Sequence, residues 1–332
     1  MSNTHANISV FVPHLGCPNM CSFCNQRYIA GTAEIPDEQT VINAVKLAKT
    51  SKNYNPNNTE IAFFGGSFTA IDRSYMLRLL KTAHKFVLDG TVAGIRISTR
   101  PDFIDDEILT VLKEYGVTAI ELGAQSMSDT VLVNNNRGHT ADDVRTSSLL
   151  IKSYGFQLGL QMMTGLYTDT DSTAVFTAQE IIKLKPDTVR IYPTIVLENT
   201  ELARLYRLNK YKPQELDAAV DLTATLLCLF KSAGINVIRT GLHTIDTQKY
   251  VAGPWHPAFR ELCDSKIYLR TALKQLKKAG NYIVFVPSGA VSKMVGQKRC
   301  NLQYLANKGF NCTVKTDSNL KEYELIVRGC EY

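Results

Sequence analysis

Three cysteines, Cys17, Cys21 and Cys24, lie within eight residues near the start of the chain. One short loop therefore carries three thiols, and the next cysteine, Cys228, is distant. Such a loop can present thiolates to three irons of one four-iron cluster and leave the fourth iron open for a ligand. Structural zinc sites more often combine cysteine pairs with a second pair or with histidines, so this spacing favours iron–sulfur over zinc. Zinc and incidental burial remain the alternatives.

Five further segments follow the cysteine loop and contain glycine or polar residues suited to ligand binding. Paired glycines allow a close approach of the backbone to a ligand, and a guanidinium such as that of Arg137 matches a carboxylate with two hydrogen bonds. Taken singly, each segment also has an ordinary explanation, such as a plain turn or a surface arginine. The segments are Gly65-Gly66-Ser67-Phe68-Thr69, Thr99-Arg100-Pro101-Asp102, Glu121-Leu122-Gly123-Ala124-Gln125-Ser126, Asn136-Arg137-Gly138-His139-Thr140 and Arg190-Ile191-Tyr192-Pro193-Thr194.

Together with the cysteine loop, these segments resemble the radical S-adenosylmethionine (SAM) domain of the Elongator catalytic-subunit family. They are more distantly similar to oxygen-independent coproporphyrinogen III oxidase. The resemblance runs from about Phe11 to Tyr211. It implies a radical SAM enzyme with a [4Fe-4S] cluster on Cys17, Cys21 and Cys24, and a one-electron donor of the flavodoxin or ferredoxin type. It also implies reductive cleavage of SAM to a 5′-deoxyadenosyl radical, which takes a hydrogen atom from substrate.

The resemblance also assigns SAM contacts. By its pattern, Gly65, Gly66 and Ser67 contact the amino group, Arg137 the carboxylate and Gln125 the ribose, while Phe23 is the aromatic residue before the last cysteine.

Two further positions are candidates for SAM binding, but one departs from the family pattern and the other has a second interpretation. Ser98 stands where relatives carry a glutamate to the ribose, so ribose binding is weaker or arranged differently in this chain. Met162, beside Met163 on the fifth predicted strand, either lines the adenine or belongs to the ordinary barrel core, where methionine fills gaps.

Apolar, β-branched runs alternate with segments of helical periodicity, which is typical of parallel strands joined by helical crossovers. Six or more such units predict an α/β fold: a partial or full (β/α) barrel of the TIM type, with its chemistry at the carboxyl ends of the strands. The predicted strands are Ile8–Val12, Glu60–Phe64, Gly94–Ser98, Ala119–Gly123, Gln157–Met162, Thr188–Tyr192 and Asn236–Arg239. The predicted helices are Glu38–Ser51, Tyr75–Leu88, Asp105–Tyr115, Ala141–Tyr154, Ala174–Leu184 and Pro213–Ala233.

A cluster of proline and glycine at Val251–Pro257 predicts a boundary, with the barrel in residues 1–250 and a small α+β unit in 251–332. This unit is predicted to contain helices Arg260–Lys278, Ala290–Val295 and Cys300–Asn307 and strands Tyr282–Val286, Asn311–Lys315 and Tyr323–Val327. Around Gly296–Arg299 it resembles the core of a KH domain, with Arg299 where a second glycine belongs.

The C-terminal unit is also basic. From Ser265 to Phe310 there are nine basic and no acidic residues, whereas the whole chain carries +6 and the remainder −3. Lys293, Lys298 and Arg299 are therefore candidates to bind the phosphates of RNA, with an affinity that falls with salt. The alternative is a basic lid that only completes the barrel.

The substrate is the least determined part of the prediction. Arg190 and Tyr192 end the sixth strand and face the expected substrate side, although the Elongator family usually has a lysine at the position of Arg190. That family modifies wobble uridines of tRNA, so RNA is the first candidate and a small metabolite or porphyrin-like compound the second. The different class is a non-catalytic nucleic-acid-binding protein with a structural metal site. Acetyl-CoA-dependent chemistry is not expected, because only about 80 residues follow the boundary.

Composition narrows the class of protein. The chain has 332 residues, of which 45% are apolar and 20% charged, which is ordinary for a globular enzyme with a large core. No apolar stretch approaches the ~20 residues of a membrane span, and the start lacks the pattern of a signal peptide. We therefore expect a cytoplasmic protein without a membrane partner; the sequence indicates no oligomeric state.

Overall fold

The computed structural model describes residues 5–13, 17, 19–24, 35–242 and 247–330. Its main feature is a seven-stranded sheet in which every neighbouring pair is parallel. All seven predicted strands are present, and each is longer than predicted, by one to four residues. In spatial order they are β1 (Ala6–Val12), β2 (Thr59–Gly65), β3 (Gly94–Thr99), β4 (Val117–Gln125), β5 (Gln157–Thr164), β6 (Thr188–Pro193) and β8 (Asn236–Thr240).

Helices connect these strands, as expected for parallel neighbours. Their starts follow local sequence: Asp37, Thr140 and Thr170 form capping boxes at the first, fifth and sixth helix. No helix in the described ranges combines the length and apolarity needed to cross a membrane. The helices of this part are α1 (Glu38–Lys49), α2 (Arg73–Leu88), α3 (Asp106–Glu114), α4 (Asp129–Asn134), α5 (Ala141–Ser153), α6 (Asp171–Leu184), α7 (Glu201–Arg207) and α8 (Leu216–Ser232).

The sheet is curled into a half-barrel that buries one face against the helices. Strand β1 shows the alternation: Ile8, Val10 and Val12 are buried in the main core, whereas Ser9 and Phe11 are exposed on the concave face. Because successive side chains of a strand point to opposite faces, this register decides which residues can line the barrel interior. The expected partial barrel is confirmed.

A small antiparallel pair that the sequence analysis did not predict lies beside the half-barrel. It consists of β7 (Val196–Leu197) and β9 (Tyr250–Ala252). Val196 of this pair packs with Leu202 and Tyr211 in a hydrophobic cluster that is separate from the main core.

The C-terminal elements form a three-stranded mixed sheet in the order β11-β10-β12, packed on helices around their own hydrophobic cluster. Strands β10 and β11 are parallel, and β12 is antiparallel to β10. The element order agrees with the prediction. The bounds are α9 (Phe259–Gln275), β10 (Gly280–Val286), α10 (Val291–Val295), α11 (Cys300–Asn307), β11 (Phe310–Thr316) and β12 (Ile326–Gly329).

One predicted strand is wrong in its position. Tyr323 does not begin the last strand, because its backbone has a φ of +67° and its hydroxyl donates to the buried carboxylate of Asp264. Regular pairing starts only at Ile326. The side chain at Tyr323 is thus held by a tertiary contact that an apolar run cannot reveal.

Helix α9 attaches the C-terminal sheet to the half-barrel. Asp264, 2% exposed, binds the guanidinium of Arg260 at 2.9 Å and the ammonium of Lys293 at 2.7 Å. Arg260 also donates to the carbonyl of Val237 on β8. On the outer side, α9 forms ion pairs with Asp221 of α8. The buried ion pair of Asp264 with Lys293 therefore holds α9 to α10, whereas the Arg260 hydrogen bond and the exposed ion pairs of Asp221 join α9 to the half-barrel.

Candidate functional site

The carboxyl ends of the parallel strands meet at one edge of the half-barrel, and the cysteine loop follows β1 at this edge. Val12 at the end of β1 pairs in register with Gly65 at the end of β2. The Gly66 N–H donates to the carbonyl of Val12 at 2.8 Å. Gly65 has a φ of +110°, and a Cβ there would lie 2.7 Å from the same carbonyl oxygen, so only glycine fits this turn.

Two arginines place positive charge beside the thiols. Cys21 is 5% exposed, and Nη1 of Arg137 donates to its Sγ at 3.1 Å. Burial raises the pKa of the partly buried Cys17 thiol, while the Ser67 main-chain N–H and the guanidiniums of Arg100 and Arg137 act in the opposite direction. The net result is a raised pKa for Cys17, so the two guanidiniums offset the effect of burial only in part, while they supply positive charge beside these potential ligands.

Both guanidiniums retain buried N–H groups without an acceptor among the described residues. Arg137 donates through Nη2 to the Gly123 carbonyl at 2.7 Å, but its Nε has no partner. Arg100 binds Asp102 with two hydrogen bonds of 2.9 and 2.7 Å and donates to the Arg137 carbonyl, and its Nη1 has no partner. Buried donors are normally satisfied, so these atoms indicate a missing acceptor at the thiols. The residues present fit an anionic cluster with an anionic ligand.

A single metal ion fits less well. In the described part of the chain, no three His, Cys, Asp or Glu side chains converge closely enough to hold one ion. Thiolates on different corners of a cluster lie farther apart than ligands of one ion, so this finding bears on the zinc alternative alone. All eight cysteines are described, and none forms a disulfide.

The cysteine loop is fixed by a residue that the sequence analysis missed. Ser22 is fully buried, its hydroxyl donates to the Asn135 side chain at 2.6 Å, and its N–H donates to the Asn135 carbonyl. The Ser22 carbonyl accepts from the Leu202 N–H at 2.8 Å. Phe23 packs partly buried against the cluster that contains Leu202. The only sequence signal for Asn135 is its place in the polar run before Arg137.

Ser67 and Thr99 join the ends of β2 and β3. The Ser67 hydroxyl lies 2.9 Å from the Thr99 hydroxyl and accepts from the Arg100 N–H at 3.2 Å. The Ser67 hydroxyl therefore has its hydrogen-bond partners within the protein. The Ser67 main-chain N–H forms a hydrogen bond with the Cys17 thiol. Ser98, the neighbour of Thr99, is half-buried on the concave face.

Gln125 ends β4 in a strained conformation. Its φ is +65°, the register of the β4–β5 pair shifts between Leu122 and Gln125, and its Oε1 accepts from Gln161 at 3.3 Å. Residues held in sparsely populated backbone regions are concentrated at functional sites. The neighbouring His139 is also buried at this edge, where it contacts the Ala124 carbonyl at 3.2 Å. Burial lowers the pKa of His139 to about 4, with the Arg137 charge adding to the effect.

The prediction that the Met162 side chain lines an adenine is wrong. Met162 is 0% exposed and packs in the helix-facing core with Leu158 and Leu160. Its neighbours Gln161 and Met163 are half-buried on the opposite, concave face. The alternation along β5 therefore supports the ordinary core interpretation for Met162.

On the concave face, Arg190 and Tyr192 lie on β6 as predicted. Arg190 is bound to the buried carboxylate of Glu121 at 2.7 Å and lies over the Phe64 ring. Its Nη1 donates to the Tyr192 hydroxyl oxygen at 3.5 Å. Glu121 therefore already neutralises Arg190, which leaves Tyr192 the freer of the two predicted substrate residues.

The three basic candidates of the C-terminal unit separate into two groups. The prediction that Lys293 is available to bind phosphate is wrong, because its ammonium is bound to the buried carboxylate of Asp264. Lys298 and Arg299 are exposed, with φ of +50° and +65° in the turn after Gly296. Arg299 thus adopts the left-handed conformation that a glycine would favour and borders an open cleft of about 610 Å³.

Comparison with known proteins agrees with this geometry. Residues 11–181, more than half of the chain, match the model of the Radical SAM superfamily, and residues 186–269 match the Radical_SAM C-terminal domain. The chain is 29% identical over 199 residues to Elongator complex protein 3 of Schizosaccharomyces pombe, covering 54% of this chain and 37% of that protein. It is 24% identical over 256 residues to a tRNA uridine(34) acetyltransferase of Methanocaldococcus jannaschii, covering 65% and 47%.

A solved structure extends the likeness in fold. The archaeal Methanocaldococcus infernus Elp3 with an N-terminal deletion matches with a TM-score of 0.65 at 21% identity, covering 84% of this chain and 66% of that chain. The chain spans about half or less of the length of these curated relatives.

Proposed function

Because the chain belongs to the radical SAM superfamily and is an enzyme, we propose that Cys17, Cys21 and Cys24 hold a [4Fe-4S] cluster at which SAM is bound and cleaved. When bound, cluster and SAM together supply the 5′-deoxyadenosyl radical that takes a hydrogen atom from substrate. The observation that carries this proposal is the pair of guanidinium groups of Arg100 and Arg137 beside the thiols, each of which keeps one buried nitrogen without an acceptor among the described residues. The electron comes from a donor of the flavodoxin or ferredoxin type, in the cytoplasm.

The chain's own residues orient the cosubstrate. Arg137 holds the SAM carboxylate through Nε, the one nitrogen without an acceptor, together with the second N–H of a neighbouring Nη, since a planar fork matches two carboxylate oxygens. The glycine turn at Gly65 and Gly66 lets the main chain approach the amino group. Gln125, held at a positive φ, directs its amide toward the ribose.

Iron content and SAM cleavage test this proposal directly. Protein purified without oxygen should contain about four irons per chain and release 5′-deoxyadenosine from SAM with dithionite. Cys21→Ala should lose the iron and the product, whereas Cys228→Ala, at an exposed cysteine on α8, should retain both. A wild-type protein without iron, or one that contains iron but leaves SAM intact, contradicts the proposal.

For the substrate, we propose RNA, with tRNA as the first choice. Support comes from the relatives, among them a tRNA uridine(34) acetyltransferase, and from the exposed Lys298 and Arg299, of which Arg299 borders an open cleft. Cationic side chains free of ion pairs can neutralise phosphates and release counterions.

Gel shifts with tRNA test the RNA proposal. Lys298→Glu with Arg299→Glu should weaken binding and reduce the slope of log affinity against log salt by about two. The control is Lys46→Glu with Lys49→Glu on the exposed face of α1, which carries the same charge change and should leave the shift as it is. A wild-type protein that does not bind tRNA at low salt would leave a small metabolite as the substrate class.

A further inference from the structure

Charged side chains form a row across the concave face of the half-barrel. They come from five strands: Glu60 on β2, Arg96 on β3, Glu121 on β4, Arg190 on β6 and Arg239 on β8. Arg190 and Arg239 are direct partners in the parallel ladder between β6 and β8. The last two positions of the row therefore place two positive charges next to each other.

The first four members of the row neutralise one another. Arg96 lies 2.9 Å from Glu60 and 3.4 Å from Glu121, and Glu121 binds Arg190 at 2.7 Å. All four are buried or nearly so, and paired charges are the form in which buried ions are tolerated. Two carboxylates thus balance two guanidiniums, and Arg239 is left over.

Arg239 has no ion pair in the part of the chain that the structure describes, and its buried Nε has no hydrogen-bond acceptor there. Burial lowers the pKa of Arg239 and the Arg190 charge lowers it further, while Tyr192 acts in the opposite direction. A half-buried guanidinium beside a like charge costs free energy unless an anion joins it. The Tyr192 oxygen accepts from Arg190, so its own O–H remains available as a second donor.

We propose that Arg239, with the Tyr192 hydroxyl, binds an oxyanion of the substrate, a phosphate or a carboxylate group, on the concave face of the half-barrel. The guanidinium fork suits both groups, because each offers two oxygens in the plane that the fork requires. This inference rests on the proposed function in one respect only, that the concave face is the substrate side. It makes Arg239 a specificity-determining residue that sequence reasoning did not identify.

Titration calorimetry on the protein purified without oxygen tests the proposal with four probes: uridine 5′-monophosphate, uridine, inorganic phosphate and acetate. Wild-type protein should bind the monophosphate at least tenfold more tightly than uridine. Inorganic phosphate against acetate distinguishes the two oxyanions. Arg239→Gln should remove at least tenfold of the anion affinity, Arg239→Lys should retain part of it, and Arg328→Gln, at an exposed arginine over Phe285, should change nothing.

The melting temperature of the ligand-free protein separates a binding role from a structural one. Loss of an uncompensated charge in Arg239→Gln should leave that temperature unchanged or raise it, whereas loss of a structural contact lowers it. The proposal is overturned if wild type binds none of the anions, or if Arg239→Gln binds them as tightly as wild type. The titration requires neither SAM nor turnover, so failure of the SAM-cleavage assay is a separate result.

Discussion

At the scale of single residues, the candidate site depends on groups whose partners are distant in sequence. Arg137 reaches Cys21, 116 positions earlier, and the carbonyl of Gly123 on β4. His139, two residues further, lies under the same edge and contacts the Ala124 carbonyl. Because burial shifts the pKa of His139, the pH dependence of the free energy of unfolding reports on the electrostatics of the site.

His139 should make the protein less stable in mild acid. Burial lowers its pKa from 6.5 to about 4. The unfolded chain takes up this proton below about pH 6.5, whereas the folded chain resists it, so the stability present above pH 6.5 is lost as the pH falls. The expected loss is about 2 kcal/mol between pH 7 and pH 5. Urea unfolding at both pH values measures it, and His139→Gln should lack this part of the pH dependence. An equal dependence in the variant would show that His139 titrates normally.

Residue type and spacing predicted the cysteines as cluster ligands, and the family resemblance predicted Arg137; the structure brings Arg137 and Cys21 into contact, and their roles stay predictions. The sequence did not identify Arg239, since an unbalanced charge becomes visible only when the partners of its neighbours are known. Met162 and Lys293 were misassigned for related reasons. The face of β5 on which Met162 lies depends on register, and Lys293 is neutralised by Asp264, a contact between two helices.

At the scale of elements, the turn after β2 should tolerate only glycine. Both Gly65 and Gly90 have a positive φ, but a Cβ at Gly90 would meet nothing within 4 Å, whereas one at Gly65 would meet the Val12 carbonyl. We expect Gly90→Ala to cost about 1 kcal/mol and Gly65→Ala at least about 3 kcal/mol in free energy of unfolding. Similar losses for both variants would mean that backbone strain alone requires the glycine, without the close approach to β1.

The seven strands of the half-barrel were predictable because their apolar, β-branched runs are bounded by turn residues and strong helix signals. The pair β7–β9 was not, since strands of two and three residues carry no periodicity. The misplaced strand start at Tyr323 has a different origin: the apolar run Leu325–Val327 that follows it resembles a strand, while the Tyr323 N–H donates to the Tyr268 hydroxyl at 3.0 Å instead of to a neighbouring strand.

At the scale of the whole molecule, Asp264 should hold the C-terminal elements to α9 and, by fixing Arg260, support the contact of α9 with β8. Asp264→Asn leaves Arg260 and Lys293 without their charge partner, and breaking a buried pair costs about 3 kcal/mol. The matched control is Asp221→Asn, whose carboxylate also holds two basic side chains but is 47% exposed, and which should cost under about 1 kcal/mol. Chemical unfolding measures both, and limited proteolysis should cut Asp264→Asn first near α9. Equal costs would assign the attachment to apolar packing.

The half-barrel has a further consequence, which follows from the strand order alone. Within the described residues, β1 and β8 are the two outer strands of the sheet and do not pair with each other. A closed barrel has its radius set by strand number and stagger, whereas an open one is free of that constraint. The width of the half-barrel can therefore change at the gap between β1 and β8 without breaking any pairing between strands. The same seven strands can in this way accommodate ligands of different width.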